Sequence, residues 1–203
     1  MRAAFVLSLL ISLLPSIANA VNEPSYTVLL KDEKYEVRQY QAMILAQVNV
    51  TGDMRDAGSS GFRALADFIF GNNQLATKVE MTAPVTRTES TKIAMTAPVT
   101  RVENENKSWT VSFVMPEKWT MQTLPKPNNS DISIVQVPGE IVAILEFSGR
   151  GSESMHKQKQ TELEQWIPEQ GYTAVSEPRY AGYDAPWVPW PFRRNEVMIS
   201  VVK

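Results

Sequence analysis

The chain has 203 residues, with 20 basic and 22 acidic side chains, one His and no Cys. The absence of Cys excludes disulfides, thiol nucleophiles, iron–sulfur clusters and Cys-ligated zinc, and one His excludes multi-histidine metal sites. A net charge of −2 lacks the basic surplus of nucleic-acid-binding domains, and 43% hydrophobic residues is ordinary for a globular protein. We therefore expect a globular protein without a nucleic-acid partner.

Residues 1–20 have the pattern of a secretory signal peptide. Arg2 precedes the mainly apolar segment Ala3–Leu14, and Ala18-Asn19-Ala20 fits the small-x-small cleavage rule. The apolar segment is too short to span a bilayer, and the alternative is a buried N-terminal helix. We predict an exported protein, periplasmic or secreted, with one domain over 21–203 and no stable membrane insertion of the mature chain.

An internal repeat is suggested by two segments separated by 97 positions. In each, a strand is followed by a turn, an apolar strand, a Gly turn and a helix: Gln39–Asp53 opens one copy and Gln136–Arg150 the other. Chance resemblance between amphipathic strands is the alternative. The pattern predicts two similar halves, at about 26–101 and 108–203.

Apolar residues at helical spacing predict helices over Asp56–Phe70 and Ser152–Ile167, with Ser152 as the N-cap of the second helix. The apolar face of the first helix includes Phe62 and Leu65 and leaves Phe68 to one side. Pro168 is expected to end the second helix. The predicted strands are those that follow: Tyr35–Tyr40, Met43–Val50, Lys92–Val102, Ser108–Met115, Asp131–Val137, Glu140–Phe147 and Glu196–Val202, with further extended chain over Tyr172–Tyr180. Eight or nine strands and two long helices predict an α+β fold, with a distorted antiparallel barrel and a pseudo-twofold axis.

Met-Thr-Ala-Pro-Val-Thr-Arg occurs twice, beginning at Met81 and at Met95. Since Pro cannot donate to a strand ladder, each copy predicts an edge or a corner of the sheet. The alternative is functional, with the soft methionine side chains facing a flat apolar ligand.

Several blocks, in order along the chain, resemble the SOUL haem-binding family. These blocks are Gly61–Asn73 followed by Lys78–Val85, then Ser112–Pro116, Leu124–Pro127, Tyr183–Trp187 and Pro191–Val197. The resemblance implies a distorted barrel flanked by two helices, similar to the effector-binding domains of drug-responsive regulators. It also implies non-catalytic binding of haem or related tetrapyrroles beside the first helix and the loop before the last strand.

The residues of that loop suit a planar dicarboxylic acid. Trp187, Trp190 and Phe192 alternate with prolines, which stiffen the loop, and Arg193 and Arg194 follow and can pair with carboxylates. The alternative for these aromatic side chains is a plug that closes the barrel. The candidate ligand-binding residues are these seven: Phe62, Arg63, Leu65, Met81, Trp187, Trp190 and Arg193.

His156 lies on the face of the second helix that should pack on the sheet, so we interpret it as structural rather than as an iron ligand. The sequence predicts an exported, non-catalytic carrier or scavenger of b-type, non-covalently bound haem or another porphyrin, with arginines pairing with its propionates. Two alternatives are a sensor or interaction module for small amphipathic ligands and a haem-modifying enzyme.

Overall fold

A computed structural model describes residues 22–75, 90–185 and 187–203 of the protein. The predicted signal peptide lies outside these residues. The helices are α1 (Met54–Ile69) and α2 (Glu153–Glu169). The strands are β1 (Tyr26–Asp32), β2 (Tyr35–Tyr40), β3 (Met43–Thr51), β4 (Asn73–Gln74), β5 (Val99–Glu103), β6 (Ser108–Val114), β7 (Lys126–Pro127), β8 (Ile132–Val137), β9 (Glu140–Ser148), β10 (Thr173–Ala174), β11 (Arg179–Gly182) and β12 (Arg194–Val202).

Ten strands form one antiparallel sheet in the order β1-β2-β9-β12-β11-β5-β6-β3-β8, with β10 attached to β12. The two-residue strands β4 and β7 pair separately. Within the described residues, the edge strands β1 and β8 do not pair, so the barrel-like sheet is not closed. The predicted α+β class is confirmed. The prediction missed β1, an edge strand of seven mostly exposed residues that lacks a buried–exposed alternation, and the two-residue strands β4 and β7, which are too short for a periodic signal.

Strands β2 and β3 follow each other in the chain but do not pair with each other. Instead β2 pairs with β9 and β3 pairs with β8, with Tyr40 opposite Glu140 and Met43 opposite Val137. The order strand, strand, Gly turn, helix occurs once through α1 and again through α2. This recurrence supports the duplication of two halves, which stays a prediction.

Helix α1 begins at an Asp cap and ends at Ile69. The Asp53 carboxylate accepts hydrogen bonds from the N–H groups of Arg55 and Asp56, which satisfies two open donors of the first turn. Gly61 sits over Val111 of β6, where a Cβ atom would come within 2.5 Å, so this glycine lets helix and sheet approach closely. The expectation that Phe68 lies off the apolar stripe is wrong, since Phe68 is buried with Leu65.

Helix α2 begins after Ser152, whose hydroxyl accepts from Met155 N–H, and this predicted cap is confirmed. The predicted stop at Pro168 is early, because the helix includes Pro168 and ends at Glu169. Trp166 packs against the sheet, stacks on Tyr35 at 4.9 Å and donates its Nε1 hydrogen to Asp32. The helix is therefore held by aromatic packing as well as by its aliphatic stripe.

Alternation along the strands separates the two faces of the sheet. On β9, Ala143, Leu145 and Phe147 join the core under α2, whereas Val142 and Ile144 face the other way. A second core lies under α1. We call the surface opposite the helices the inner face of the sheet; it carries a smaller apolar cluster.

The predicted strand Lys92–Val102 is wrong over its first half, because the strand begins only at Val99. Ile93 N–H donates to the carbonyl of Ile69 at the end of α1, which takes this segment away from the sheet. Pro98 has no N–H to donate, so the ladder starts directly after it. The first copy of the repeated phrase, with Met81, lies outside the described residues.

Candidate functional site

The connection between β11 and β12 carries most of the loop residues that the sequence singled out. We call residues 183–193 the aromatic loop; Pro186 is the one member outside the described residues. Its ends are fixed by the ladder, in which Gly182 lies opposite Asn195. A loop attached this way projects from two paired strands whose positions are set by the sheet.

Three aromatic side chains of the loop are exposed to solvent. Trp187 is 82% exposed, Phe192 78% and Trp190 51%. The alternative interpretation, in which they plug the barrel, is therefore wrong. Large aromatic side chains favour burial, and three exposed ones within a single short loop are typical of a binding surface.

The loop is held in shape by its own backbone. Val188 N–H donates to Ala185 O at 3.0 Å, and Phe192 N–H donates to Pro189 O at the same distance. The Arg193 guanidinium donates through Nε to Val188 O at 2.7 Å. These bonds and the prolines reduce the entropy that would be lost when a ligand orders the loop.

Arg150 is a cation of this surface that the sequence reasoning missed. It lies in the turn between β9 and α2, and its guanidinium stacks on Trp190, 5.4 Å from the ring centroid. The flanking Gly149 and Gly151 both have positive φ, which allows the tight turn that brings Arg150 to the loop. The Gly-Arg-Gly spacing was visible in the sequence, but its contact with Trp190 depends on the pairing of β9 with β12.

Arg194, the neighbour of Arg193, is already neutralised inside the protein. It pairs with Glu196 at 2.8 Å, Glu23 at 3.0 Å and Glu146 at 3.3 Å. Burial alone would lower the pKa of Arg194, but Glu196, with smaller contributions from Tyr183 and Glu23, raises it above its ordinary value. Arg194 is thus a structural cation, and the expectation that it faces a ligand carboxylate does not match its partners.

Arg194 belongs to a cluster on the inner face that we call the buried charge network, formed by Glu36, Arg38, Glu196, Arg194 and the hydroxyls of Tyr40 and Tyr183. Glu196 is completely buried between Arg38 and Arg194.

Within this network every charge has a counterion. Burial opposes the charged form of Arg38, but Glu196, Tyr40 and Glu36 together raise its pKa. Burial raises the pKa of Tyr40 to about 12, so its hydroxyl stays protonated at physiological pH. The charges of the network pair with one another, so little unpaired charge remains there to bind a charged ligand.

The candidate residues on α1 are not brought together into one patch. Leu65 is fully buried in the core under the helix, and half-buried Phe62 packs edge-on against Phe113 at 5.4 Å. Arg63 is exposed on the helix surface and donates to Ser59 O at 3.3 Å. Trp187, Trp190 and Arg193 lie together on the aromatic loop.

His156 lies beneath the turn that carries Arg150. It is 0% exposed, between the rings of Phe147 and Tyr180. Nδ1 donates to Ser152 O at 3.0 Å, and Nε2 has no partner among the described residues. Burial lowers the pKa of His156 to about 4, and the charge of Arg101 adds to this shift. The imidazole is neutral and inaccessible, as the structural interpretation expects.

The residues of this site meet some of the requirements for binding haem and not others. Exposed aromatic rings suit the faces of the macrocycle, and Arg150 and Arg193 suit its carboxylates. The described residues contain no group of three or more His, Asp or Glu side chains that could hold a metal ion. Over the same ranges, neither helix is long and apolar enough to cross a membrane.

The sequence matches the SOUL heme-binding protein family over residues 21–200. This chain belongs to the SOUL heme-binding family. It is 28% identical over 167 residues to human "Heme-binding protein 2", a match that covers 81% of this chain and 77% of the human protein. The family assignment made from the motifs is confirmed.

Solved structures show the fold at much lower sequence identity. The C-terminal domain of EcmrR aligns with a TM-score of 0.60 at 13% identity, covering 88% of this chain and 98% of that one. A protein from Listeria innocua described as a hydrolase aligns with a TM-score of 0.54 at 14% identity, covering 86% of this chain and 94% of that one. Each alignment covers most of this chain and nearly all of the solved structure, and at these identities the likeness concerns the fold alone.

Proposed function

We propose that this protein binds haem or a related tetrapyrrole at the aromatic loop, with its carboxylates paired to Arg150 and Arg193. The observation that carries the proposal is the solvent exposure of Trp187, Trp190 and Phe192 on one loop, with Arg150 stacked on Trp190 and Arg193 bonded to the loop backbone. Stacking on the macrocycle would remove apolar ring surface from water, which is favourable by roughly 25 cal/mol per Å². Membership of the heme-binding family supports the same ligand class.

The bound haem would be of b type and non-covalent, because the chain has no Cys for a thioether bond. The buried position of His156 supports binding without a histidine ligand to iron. The protein would then recognise the shape and carboxylates of the macrocycle rather than its metal.

We propose further that the protein is a carrier or scavenger and not an enzyme. A haem-modifying reaction needs a group that activates the iron or transfers protons at the ligand, and the one His is enclosed by Phe147 and Tyr180. The near-neutral net charge supports the expectation that nucleic acid is not a partner.

Titration with haem and with metal-free protoporphyrin tests the ligand class. We expect both to shift their absorption spectra and quench tryptophan fluorescence, with affinities within about tenfold of each other. Haem binding with no protoporphyrin binding would contradict recognition without an iron ligand. No spectral change with either compound would overturn the proposed function.

Export is a separate proposal that rests on the features of residues 1–20. Fractionation of the native cell, with mass measurement of the intact protein, tests it. We expect the protein outside the cytoplasm with its chain beginning at Val21. An intact N-terminus in a cytoplasmic fraction would contradict export but not tetrapyrrole binding.

A further inference from the structure

A groove runs between the two helices on the face of the sheet that they cover. Helix α1 packs over β3 and β6, and α2 packs over β9 and β12. Strands β11 and β5 are neighbours between these two pairs in the sheet order, so they form the floor of the groove. On this floor Gly182 of β11 lies opposite Val99 of β5. A Cβ atom at Gly182 would meet no heavy atom within 4 Å beyond its chain neighbours, so there is open space above it.

Arg101 lies on the floor of this groove and faces the helices. In the ladder of β5 it lies between Tyr180 of β11 and Val111 of β6, which both belong to the cores under the helices. Gly58 of α1 lies above it, where a Cβ atom would come within 3.2 Å of Arg101 Cδ and Nη1. Gly182 follows Tyr180 by two residues, so the open space is on the same side of the sheet, about 7 Å along the strands from Arg101.

Arg101 has neither an ion pair nor a hydrogen bond among the described residues. Its pKa is lowered by burial, and no carboxylate acts against this shift. The other shielded arginines Arg38, Arg179 and Arg194 each pair with a carboxylate. Unlike Nε2 of His156, the nitrogen atoms of Arg101 are not sealed from solvent, so a ligand can reach them. A partly buried cation without a counterion is costly, and such a group is explained by a partner that binds to it.

Two further charges at the groove neutralise each other. Lys157 of α2 pairs with Glu103 of β5 at 2.6 Å, at the end of the groove where Trp109 lies opposite Glu103. His156 is neutral, because burial and the charge of Arg101 lower its pKa to about 4. Within the described part of the chain, the positive charge of Arg101 is therefore left without an opposite charge beside it.

The surroundings of Arg101 favour a single carboxylate as its partner. A guanidinium donates two parallel N–H bonds to a carboxylate, which gives both strength and orientation. One cation neutralises one negative charge, whereas a phosphate dianion would bring a second, uncompensated charge into a shielded groove. The open space above Gly182 is bordered by Val99, which packs against the apolar core under α1. This space suits the apolar body of an acid whose carboxylate reaches Arg101.

We infer that the groove between α1 and α2 binds a small monocarboxylic acid with an apolar body, for which benzoate is the model. The carboxylate pairs with Arg101, and the apolar body occupies the space above Gly182 and beside Val99. This inference goes beyond the proposed function, because Arg101 belongs neither to the aromatic loop nor to the cations assigned to the tetrapyrrole.

NMR titration of the purified protein with benzoate tests this inference. His156 is the one histidine of the chain and senses the charge of Arg101, so its imidazole resonances report on the groove. We expect benzoate to shift these resonances and the backbone amides of β5 and β11 saturably. It should bind at least about tenfold more tightly than benzamide, which has the same ring without the charge, and than inorganic phosphate. Equal binding of benzamide or of phosphate would overturn the inference.

Arg101→Met removes the charge and retains an aliphatic side chain. We expect benzoate binding to weaken at least about tenfold. The urea denaturation midpoint should stay the same or rise, because an unpaired, shielded cation does not stabilise the fold. Arg55→Met, at an exposed position on α1, is the matched control and should bind benzoate as the unaltered protein does. A lower midpoint with unchanged benzoate affinity would show that Arg101 is structural and would overturn the inference.

Gly182→Val fills the open space and provides an independent variant if Arg101→Met misfolds. A side chain there meets no neighbouring atom at Cβ, so we expect a normal fold with benzoate binding weakened at least about tenfold. Unchanged benzoate affinity in this variant would overturn the inference.

A parallel haem titration of Arg101→Met distinguishes the groove from the aromatic loop. Loss of benzoate binding with haem affinity retained supports the inference. Loss of haem affinity in this variant, or the absence of saturable benzoate shifts in the unaltered protein, would overturn it. Failure of the unaltered protein to bind haem would overturn the proposed function alone and leave the groove inference standing.

Discussion

Arg193 and Arg194 are adjacent in the chain but lie in different environments, one on the aromatic loop and the other among buried carboxylates. Arg193 stays with the aromatic loop, where it donates to Val188 O beside aromatic rings that solvent reaches. Arg194 turns to the inner face and meets three carboxylates in and around the buried charge network. One region keeps apolar rings available to a partner, and the other satisfies its charges internally. The comparison shows that residue type alone does not distinguish an arginine of a candidate binding surface from one that stabilises the fold.

Removing the central carboxylate of the buried charge network should give the largest effect. Glu196→Gln leaves Arg38 and Arg194 short of a counterion, and we expect the free energy of unfolding to fall by about 3 kcal/mol. Urea denaturation measures this loss. Glu103→Gln, in the exposed pair with Lys157, is the control and should cost less than about 1 kcal/mol. Equal losses for both variants would contradict the comparison.

The core around His156, beneath the turn that carries Arg150, should be sensitive to acid. The folded-state pKa of His156 is about 4, below the ordinary value of 6.5, so the unfolded state takes up a proton first as the pH falls. This residue therefore leaves stability unchanged above pH 6.5 and reduces it between 6.5 and about 4, by at most about 1.4 kcal/mol per pH unit.

His156→Gln isolates this contribution. We expect the variant to lose that part of the pH dependence of unfolding, measured by urea denaturation at several pH values, while the contributions of other groups remain. The same slope in both proteins would show that His156 is accessible or already protonated in the folded state.

The exposed indoles should matter for ligand affinity and little for stability. Trp187→Ala combined with Trp190→Ala should weaken haem binding about 30-fold, or about 2 kcal/mol, because exposed aromatic anchors dominate such surfaces. The denaturation midpoint should change little. Leu29→Ala, an exposed apolar position on β1, is the control. Unchanged haem affinity in the double variant would remove the loop from the site.

Arg150→Ala should give the smallest effect, a loss of haem affinity of about fivefold, or about 1 kcal/mol. The loss should shrink at high salt, since the pair with a propionate is solvent-exposed and screened. Lys126→Ala, exposed on β7, serves as a matched cationic control. A loss that is independent of salt would indicate that Arg150 acts by supporting Trp190 rather than by pairing with a carboxylate.

Much of the fold could be predicted because its signals are local. The strand predicted at Tyr35–Tyr40 has the correct bounds, and Ser152 marked the start of α2. The predictions failed where contacts between residues that are distant in the chain determine the local structure. The carbonyl of Ile69 draws Ile93 away from the sheet, and the core under α1 buries Phe68.

The candidate site was predicted in part. Trp187, Trp190 and Arg193 were chosen from the composition of one loop, and the structure places them together there. Arg150 was missed because its contact with Trp190 joins residues 40 positions apart.

The amino-acid sequence by itself determined the α+β class, the two helices, the main strands and membership of the heme-binding family, because periodicity, caps and motif order act over short stretches. The tertiary structure decided which arginine is neutralised and which aromatic rings meet solvent. These properties depend on the pairing of β9 with β12 and of β3 with β8, and strand pairing brings together groups that no local pattern relates.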